Sequence, residues 1–340
     1  MRRKRIRRGV WGVMTLFALM NVVAAFHAYK FTHFTDSKSE RTKDPRNLTA
    51  GQKAMALLFG VSNPRPETKA VPAGDYQTVR LKSNREIECW SIKAENPKGT
   101  VLLFHGFSDE KSSLLDKAEA FRSLGFNTFL VDFMGSGGSE GNRTTVGFRE
   151  AKQVKTCVDY LAGNGEENIY LFGSSMGAVA LMKAISDYGV SPQKIIIECP
   201  FGSMYQTVCA RFKAMSVPAF PTAGLLTFWG GVQNGFWAFA HNPAVYAKKI
   251  TCPTLLMYGA KDDKVSRRET DAIFTNLGGP KKLKIFQGAG HENYLEKCRE
   301  EWLYDIQQFL SPIPHHTSKK LRRGWSPTLS MARVTENVQN

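Results

Sequence analysis

Asn168-Ile-Tyr-Leu-Phe-Gly-Ser-Ser-Met-Gly177, running on into Ala178-Val-Ala-Leu-Met-Lys-Ala-Ile185, is the stretch on which the fold turns. Ile169 to Phe172 is a short apolar run bounded by polar residues, and Ala178 to Ile185 has the composition of a helix, so the segment reads strand, sharp turn, helix. Gly173, Ser175 and Gly177 fall on the turn in the spacing G-x-S-x-G, in which a strained corner lifts one serine hydroxyl above a sheet. The two glycines are needed because side chains there would collide with the neighbouring strand and helix. Ser175 is the candidate nucleophile. The competing reading is a plain Gly/Ser linker turn, and Ser174 beside it is expected to be structural.

The pattern extends on both sides of this turn. Tyr76 to Leu81 and Glu86 to Ile92 alternate apolar and polar residues around Ser83-Asn84-Arg85, a hairpin signal. Strands are then predicted at 100–104, 128–131, 195–197, 254–258 and 283–286, and helices at 113–124, 148–161 and, closing the chain, 298–310. Strands alternating with long helices imply an α/β architecture with a mostly parallel, doubly wound sheet. Ligands of such sheets bind beyond the carboxyl ends of the strands.

The 340 residues are 42% hydrophobic, enough for a sizeable core, and carry a net charge of +16. Residues 1–30 hold +7 of that charge and residues 313–340 hold +4, which leaves +5 on the body. With acids and bases interspersed there and no basic stripe interleaved with aromatics, nucleic-acid binding is not expected. Cys89, Cys157, Cys199, Cys209, Cys252 and Cys298 are scattered, with no C-x-x-C spacing, so neither a zinc site nor a disulfide framework is indicated. A Cys199–Cys209 pair and two free thiols stand equal.

Six basic residues before Gly9 precede Val10 to Tyr29, twenty residues without Asp, Glu, Lys or Arg. As a helix that run spans about 30 Å, the thickness of a bilayer core. A cleaved signal peptide ending at Val23-Ala-Ala25 competes, but its apolar region would ordinarily be shorter, so an uncleaved anchor over 1–30 is preferred. Basic density on the N-terminal side, set against Lys30, Lys38, Arg41, Lys43 and Arg46 after the run, puts the body outside the cytoplasm by a small margin. Residues 31–75 read as a linker with one short helix packed on the domain. Residues 76–312 form the folded domain, with a cap at about 200–242, and 313–340 read as a disordered basic tail that could touch anionic lipid. Asn47 and Asn142 lie in glycosylation sequons that matter only for a lumenal body in a glycosylating host.

Three predicted strand ends carry chemistry. His105-Gly106-Phe107 follows the first buried strand; the backbone N–H of Phe107 can join that of Met176 as an oxyanion hole, and His105 is expected to hold the turn. Gly259-Ala-Lys-Asp262-Asp263-Lys-Val265 follows another, offering two competing aspartates to orient a histidine. Gly288-Ala-Gly-His291 follows the last. The chain order serine, aspartate, histidine is that of one hydrolase superfamily. Glu198, closing its own strand, is a weaker alternative acid and more simply a hydrogen-bonded structural group. Gly135-Ser-Gly137-Gly138 is no dinucleotide loop, because Glu140 stands where the third glycine is required.

From about residue 75 to 311, roughly 70% of the chain, the sequence resembles the α/β-hydrolase superfamily in its serine-aminopeptidase-like or lysophospholipase-like branch. The resemblance is carried by His105-Gly106-Phe107, Asp132-Phe-Met-Gly135-Ser-Gly137-Gly-Ser139, the serine corner, Gly259-Ala-Lys-Asp262-Asp-Lys-Val265 and Gly290-His291. Its G-x-x-D-x-x-V acid loop selects Asp262 over Asp263. One departure is Phe133-Met134, where relatives often carry an arginine before the glycine. The resemblance implies a lid over the site where the chain inserts about forty residues after Cys199, rich in Phe, Trp, Leu and Gly; these side chains either bind an acyl chain or merely pack the cap.

The chemistry that follows is acyl transfer. His291 takes the Ser175 proton, Asp262 fixes the imidazole and two N–H groups hold the oxyanion, with no metal or organic cofactor required. The expected protein is a membrane-anchored serine hydrolase of esters, thioesters or lipid-like acyl groups. The alternatives are a serine aminopeptidase and a non-catalytic binding protein on the same scaffold.

Overall fold

A computed structural model describes residues 2–44 and 47–311, so the expected tail at 313–340 lies outside the described residues. Eight strands form one sheet: β1 (Gln77–Lys82), β2 (Glu86–Ile92), β3 (Thr100–Phe104), β4 (Asn127–Val131), β5 (Ile169–Ser174), β6 (Lys194–Glu198), β7 (Thr254–Gly259) and β8 (Lys281–Phe286). Their order is β1-β2-β4-β3-β5-β6-β7-β8. β2 runs antiparallel to β1 and β4, and every pairing from β4 to β8 is parallel. β3, β4 and β7 are buried at every position, as continuous apolar runs covered on both faces must be.

The helices are α1 (Arg2–Thr32), α2 (Ala50–Phe59), α3 (Leu115–Ser123), α4 (Glu150–Gly163), α5 (Met176–Tyr188), α6 (Met204–Ala214), α7 (Thr222–Asn234), α8 (Pro243–Tyr246), α9 (Arg267–Asn276), α10 (Tyr294–Lys297) and α11 (Arg299–Leu310). α5 follows the serine corner and is buried continuously from Met176 to Ile185 before Gly189, at φ 66°, turns the chain out of the helix. On the other face Trp302 of α11 packs edge-on against Phe121 and Phe172. Two apolar clusters, one on each side of the sheet, make the core.

The structure adds detail to the sequence expectations in the closing segment, before the domain and at the N-terminal helix. The closing helix expected at 298–310 forms as α11, and a short additional helix, α10, precedes it across a break at Cys298 (φ −136°, ψ 53°). The Asn293 side chain caps α10, and the Tyr294 hydroxyl accepts from the Gly259 N–H at 2.8 Å, fixing that short turn to the end of β7. The segment read as a linker is strapped to the body, the Phe34 N–H donating to Asn142 O (2.7 Å) and the Arg65 guanidinium to Ser139 O (2.6 Å), while its two ends are joined to each other by the Thr35 N–H donating to Asn63 O (2.7 Å).

The apolar N-terminal helix runs on to Thr32, and its last turns lie against α7 instead of standing free. Ala24, Ala28 and Thr32, at a spacing of four, are buried there. Trp229 Nε1 donates to Asn21 Oδ1 at 3.1 Å and Gln233 Nε2 to Ala25 O at 2.8 Å. By length and composition α1 is the one described helix able to cross a membrane.

Candidate active site

The serine corner is strained as its sequence requires. Ser175 has φ 49° and ψ −109°, a conformation that costs a non-glycine residue about 1–3 kcal/mol. The surroundings hold it there: the Ser175 N–H donates to Glu198 O (2.8 Å), and its carbonyl accepts from Val179 N–H (3.1 Å) in the first turn of α5. A Cβ on Gly177 would lie 2.2 Å from Phe104 O, and one on Gly173 would lie 2.6 Å from Ala178 N. The helix can therefore approach β3 and β5 this closely only with glycine at both positions.

At the same sheet edge β7 and β8 deliver the other two groups. His291 Nε2 is 3.0 Å from Ser175 Oγ, and Nδ1 is 2.8 Å from Asp262 Oδ2. With Nδ1–H donating to the carboxylate, Nε2 is free to accept the serine proton. The second oxygen of Asp262 accepts from the N–H groups of Lys264 (2.9 Å) and Val265 (2.8 Å), so the carboxylate is fixed before it meets the imidazole. A Cβ on Gly259 would stand 2.3 Å from Gly290 O; that backbone-to-backbone packing locks the acid loop to the histidine loop. Asp263 lines the cavity.

Burial disfavours the imidazolium of His291, but Cys199 and the Asp262 carboxylate outweigh it and raise the histidine above its ordinary value. Cys199 Sγ lies 4.0 Å from Nε2, on the residue after β6. Cys199, Asp262 and His291 thus gather residue types that a zinc ion also takes, their ligand atoms within 4.8 Å of one another. Sequence reading had no signal for this thiol beyond its place at a strand end. All six cysteines are free, including Cys199 and Cys209.

The loop after β3 borders the serine: a Cβ on Gly106 would touch Ser175 Cβ at 3.8 Å. Phe107 and Met176 both line the cavity in front of Ser175. His105 is structural, with Nδ1–H donating to Gly106 O (2.8 Å) and Nε2 accepting from Phe133 N–H (3.1 Å). Phe133 stacks on Phe104, and Met134 N–H donates to Gln153, so the loop that lacks the family's arginine has other anchors. Asp132 holds the following glycine turn by accepting from Gly138 N–H (2.8 Å), beside the buried Lys111 ammonium. Glu198 is fully buried and accepts from Trp302 Nε1 (2.7 Å), with Lys117 Nζ 3.9 Å away. Its carboxyl is pushed up by burial, and it takes no part in the Ser175–His291–Asp262 chain.

The cavity over Ser175 and His291 has a volume of about 760 Å³. Its walls carry six cationic side chains (Arg41, Lys43, Lys69, Lys117, Arg211, Lys264) and four acidic ones (Asp44, Asp109, Asp263, Glu292). α6 contributes Thr207, Ala210, Arg211 and Ala214 to its wall, and the last turn of α1 contributes Phe31. Phe31 stacks on Phe107 (centroids 4.8 Å apart, 6° between planes), and the Arg211 guanidinium lies 4.4 Å from the Phe31 ring centre.

A parallel sheet with antiparallel β2, a serine on a strand-to-helix corner and a histidine and an aspartate on later strand ends define the α/β hydrolases. The chain has the α/β-hydrolase fold, and residues 95–234 match the family model described as serine aminopeptidase, S33. It is 26% identical over 236 residues to the protein YqkD of Bacillus subtilis, covering 68% of this chain and 77% of that one. It is 23% identical over 205 residues to a Danio rerio protein named lysophosphatidylserine lipase, covering 57% of this chain and 50% of that one. Among solved structures it is similar to an esterase from Pyrococcus furiosus, with a TM-score of 0.60 at 22% identity over 72% of this chain and 96% of that one.

Proposed function

We propose that this protein is a membrane-anchored serine hydrolase that cleaves ester or lipid-like acyl bonds through Ser175, His291 and Asp262. The observation that carries the reading is the continuous hydrogen-bond chain from Ser175 Oγ through both nitrogens of His291 to Asp262, built on a strained corner. In the reaction Ser175 Oγ bonds to the acyl carbon as its proton passes to His291 Nε2. The developing negative charge on the carbonyl oxygen is held by the N–H groups of Phe107 and Met176; losing one such donor costs roughly 3 kcal/mol in comparable enzymes. The tetrahedral intermediate expels the alcohol, which leaves with the proton from His291. Water then gives a proton to His291 as it attacks the acyl-serine, and that proton passes to Ser175 Oγ as the acid is released.

Six cations to four acids around the cavity disfavour recognition of a free amine, and Glu198 is committed to Trp302; both points favour an acyl ester over an aminopeptidase substrate. The aromatic-rich cap and α1 beside it support the lipid-like substrate, as does the name of the Danio rerio relative. The test is fluorophosphonate labelling and an ester panel on the detergent-solubilised full chain, with Ser175→Ala alongside. We expect wild type to label and hydrolyse, and Ser175→Ala to lose labelling and at least about a thousandfold in kcat/KM. An unlabelled wild type would remove the enzyme reading, and activity confined to amino-acid amides would replace it with the aminopeptidase.

A further inference from the structure

α6 carries Arg211 in its last turn, and the guanidinium lies over two stacked rings, 4.4 Å from the centre of Phe31 and 5.5 Å from that of Phe107. Phe31 belongs to α1 and Phe107 to the loop whose Gly106 borders Ser175, so helix, cap and body together fix where this cation sits. Arg211 is open to the cavity over Ser175 although protein surrounds it, and among the described residues none hydrogen-bonds to its guanidinium. Burial lowers its pKa from 12.5 to about 10, with Asp44 raising it and Arg41 lowering it, so it stays charged at neutral pH. Arg41 lines the same cavity and donates to Ser108 O at 3.5 Å, on the residue after Phe107. Two like charges thus face one cavity beside the catalytic loop, an arrangement that an entering anion relieves.

We propose that Arg211, with Arg41, binds an anionic group, phosphate or carboxylate, on the alcohol half of the substrate. The inference rests on the serine-hydrolase reading and deepens it: the apolar acyl chain of a lipid-like ester has no place for the charge, so the charge belongs to the alcohol that leaves. The planar fork of a guanidinium matches two oxygens of either anion, which a lysine in its place would meet only as a point charge. The same positive wall turns away an alcohol that carries an ammonium group. Arg211 is thereby a specificity-determining residue, placed by the anchor helix through Phe31.

The measurement is kcat/KM of the full chain in non-ionic detergent on monooleoylglycerol, its 3-phosphate and the oleoyl ester of glycerate, which share one acyl chain and differ in head charge. Fluorophosphonate titration gives the active fraction of each preparation. Wild type should prefer a charged ester over the neutral one by about thirtyfold, the worth of a hydrogen-bonded charge pair, and the preference should shrink as salt rises. The better of the two charged esters identifies the head group. Arg211→Gln should bring the charged-to-neutral ratio to within about threefold of one, and Arg211→Lys should keep part of the preference. Arg41→Gln should lower the ratio by about threefold, so the test survives if the Arg211 variants do not fold. Equal wild-type values on the three esters, or an Arg211→Gln that lowers all three in proportion, would overturn the subsite while labelling and cleavage of the neutral ester keep the hydrolase reading. A wild type that neither labels nor cleaves any of the three would remove both.

Discussion

Ser175 and His241 show what single residues contribute here, and only the first is legible from its neighbours in the chain. Gly173 and Gly177 identify Ser175 because the contacts they permit are forced by the turn itself. His241, which no motif marks, is fully buried between the cap and the body: Nε2–H donates to Val146 O at 3.0 Å, and Nδ1 accepts from the Tyr246 hydroxyl at 3.0 Å. Burial lowers its pKa from 6.5 to about 4. Between those values the unfolded chain takes up a proton that the folded chain refuses, so stability is full above pH 6.5 and falls as the pH drops toward 4. For this group alone the loss is about 3 kcal/mol. Thermal melts of the solubilised protein should therefore show a falling midpoint from pH 7 to pH 5, and His241→Gln should flatten that part of the curve. An unchanged pH dependence in the variant would place the acid sensitivity elsewhere.

At the scale of elements, the packing of α5 against β3 and β5 decides whether the site exists. The helix begins one residue after Ser175, and its approach is limited by the backbone contact between Gly177 and Phe104. Gly177→Ala must push the helix outward against a backbone atom that cannot swing away. We expect it to destabilise the fold on the order of 3 kcal/mol and to abolish labelling of Ser175. A variant with wild-type melting and labelling would mean that the corner is looser than its geometry implies. The strands themselves followed from apolar runs. The break between α10 and α11 did not, because it depends on Tyr294 reaching Gly259, thirty-five residues away in the chain.

Over the whole molecule, α1 is both an apolar helix long enough to span a bilayer and a wall of the cavity. Its outward side chains, among them Trp11, Leu16 and Phe17, are exposed, as are Leu58 of α2 and Phe220 and Trp237 of the cap. Much of the exposed apolar surface thus gathers on α1 and the two elements beside it. The docking of Asn21, Ala25 and Ala28 on α7 spans the site where a signal peptidase would cut, which favours the retained anchor. Intact mass of the purified chain is expected to include residues 1–25, and the protein should stay with membranes through an alkaline carbonate wash. A mature chain beginning near Phe26 would refute the retained anchor.

The sequence by itself determined the strand-to-helix corner, the order of the parallel strands' chemistry along the chain and the identity of an apolar N-terminal helix. Each of these is written in residues within a turn or two of one another, where sterics and hydrophobic periodicity act locally. Tertiary structure alone decided that residues 33–65 are strapped to the body, that Cys199 sits beside His291, and that Phe31 stacks on Phe107. Those contacts join positions far apart in the chain, and no local spacing encodes them, because they exist only once the sheet has fixed where its strands end.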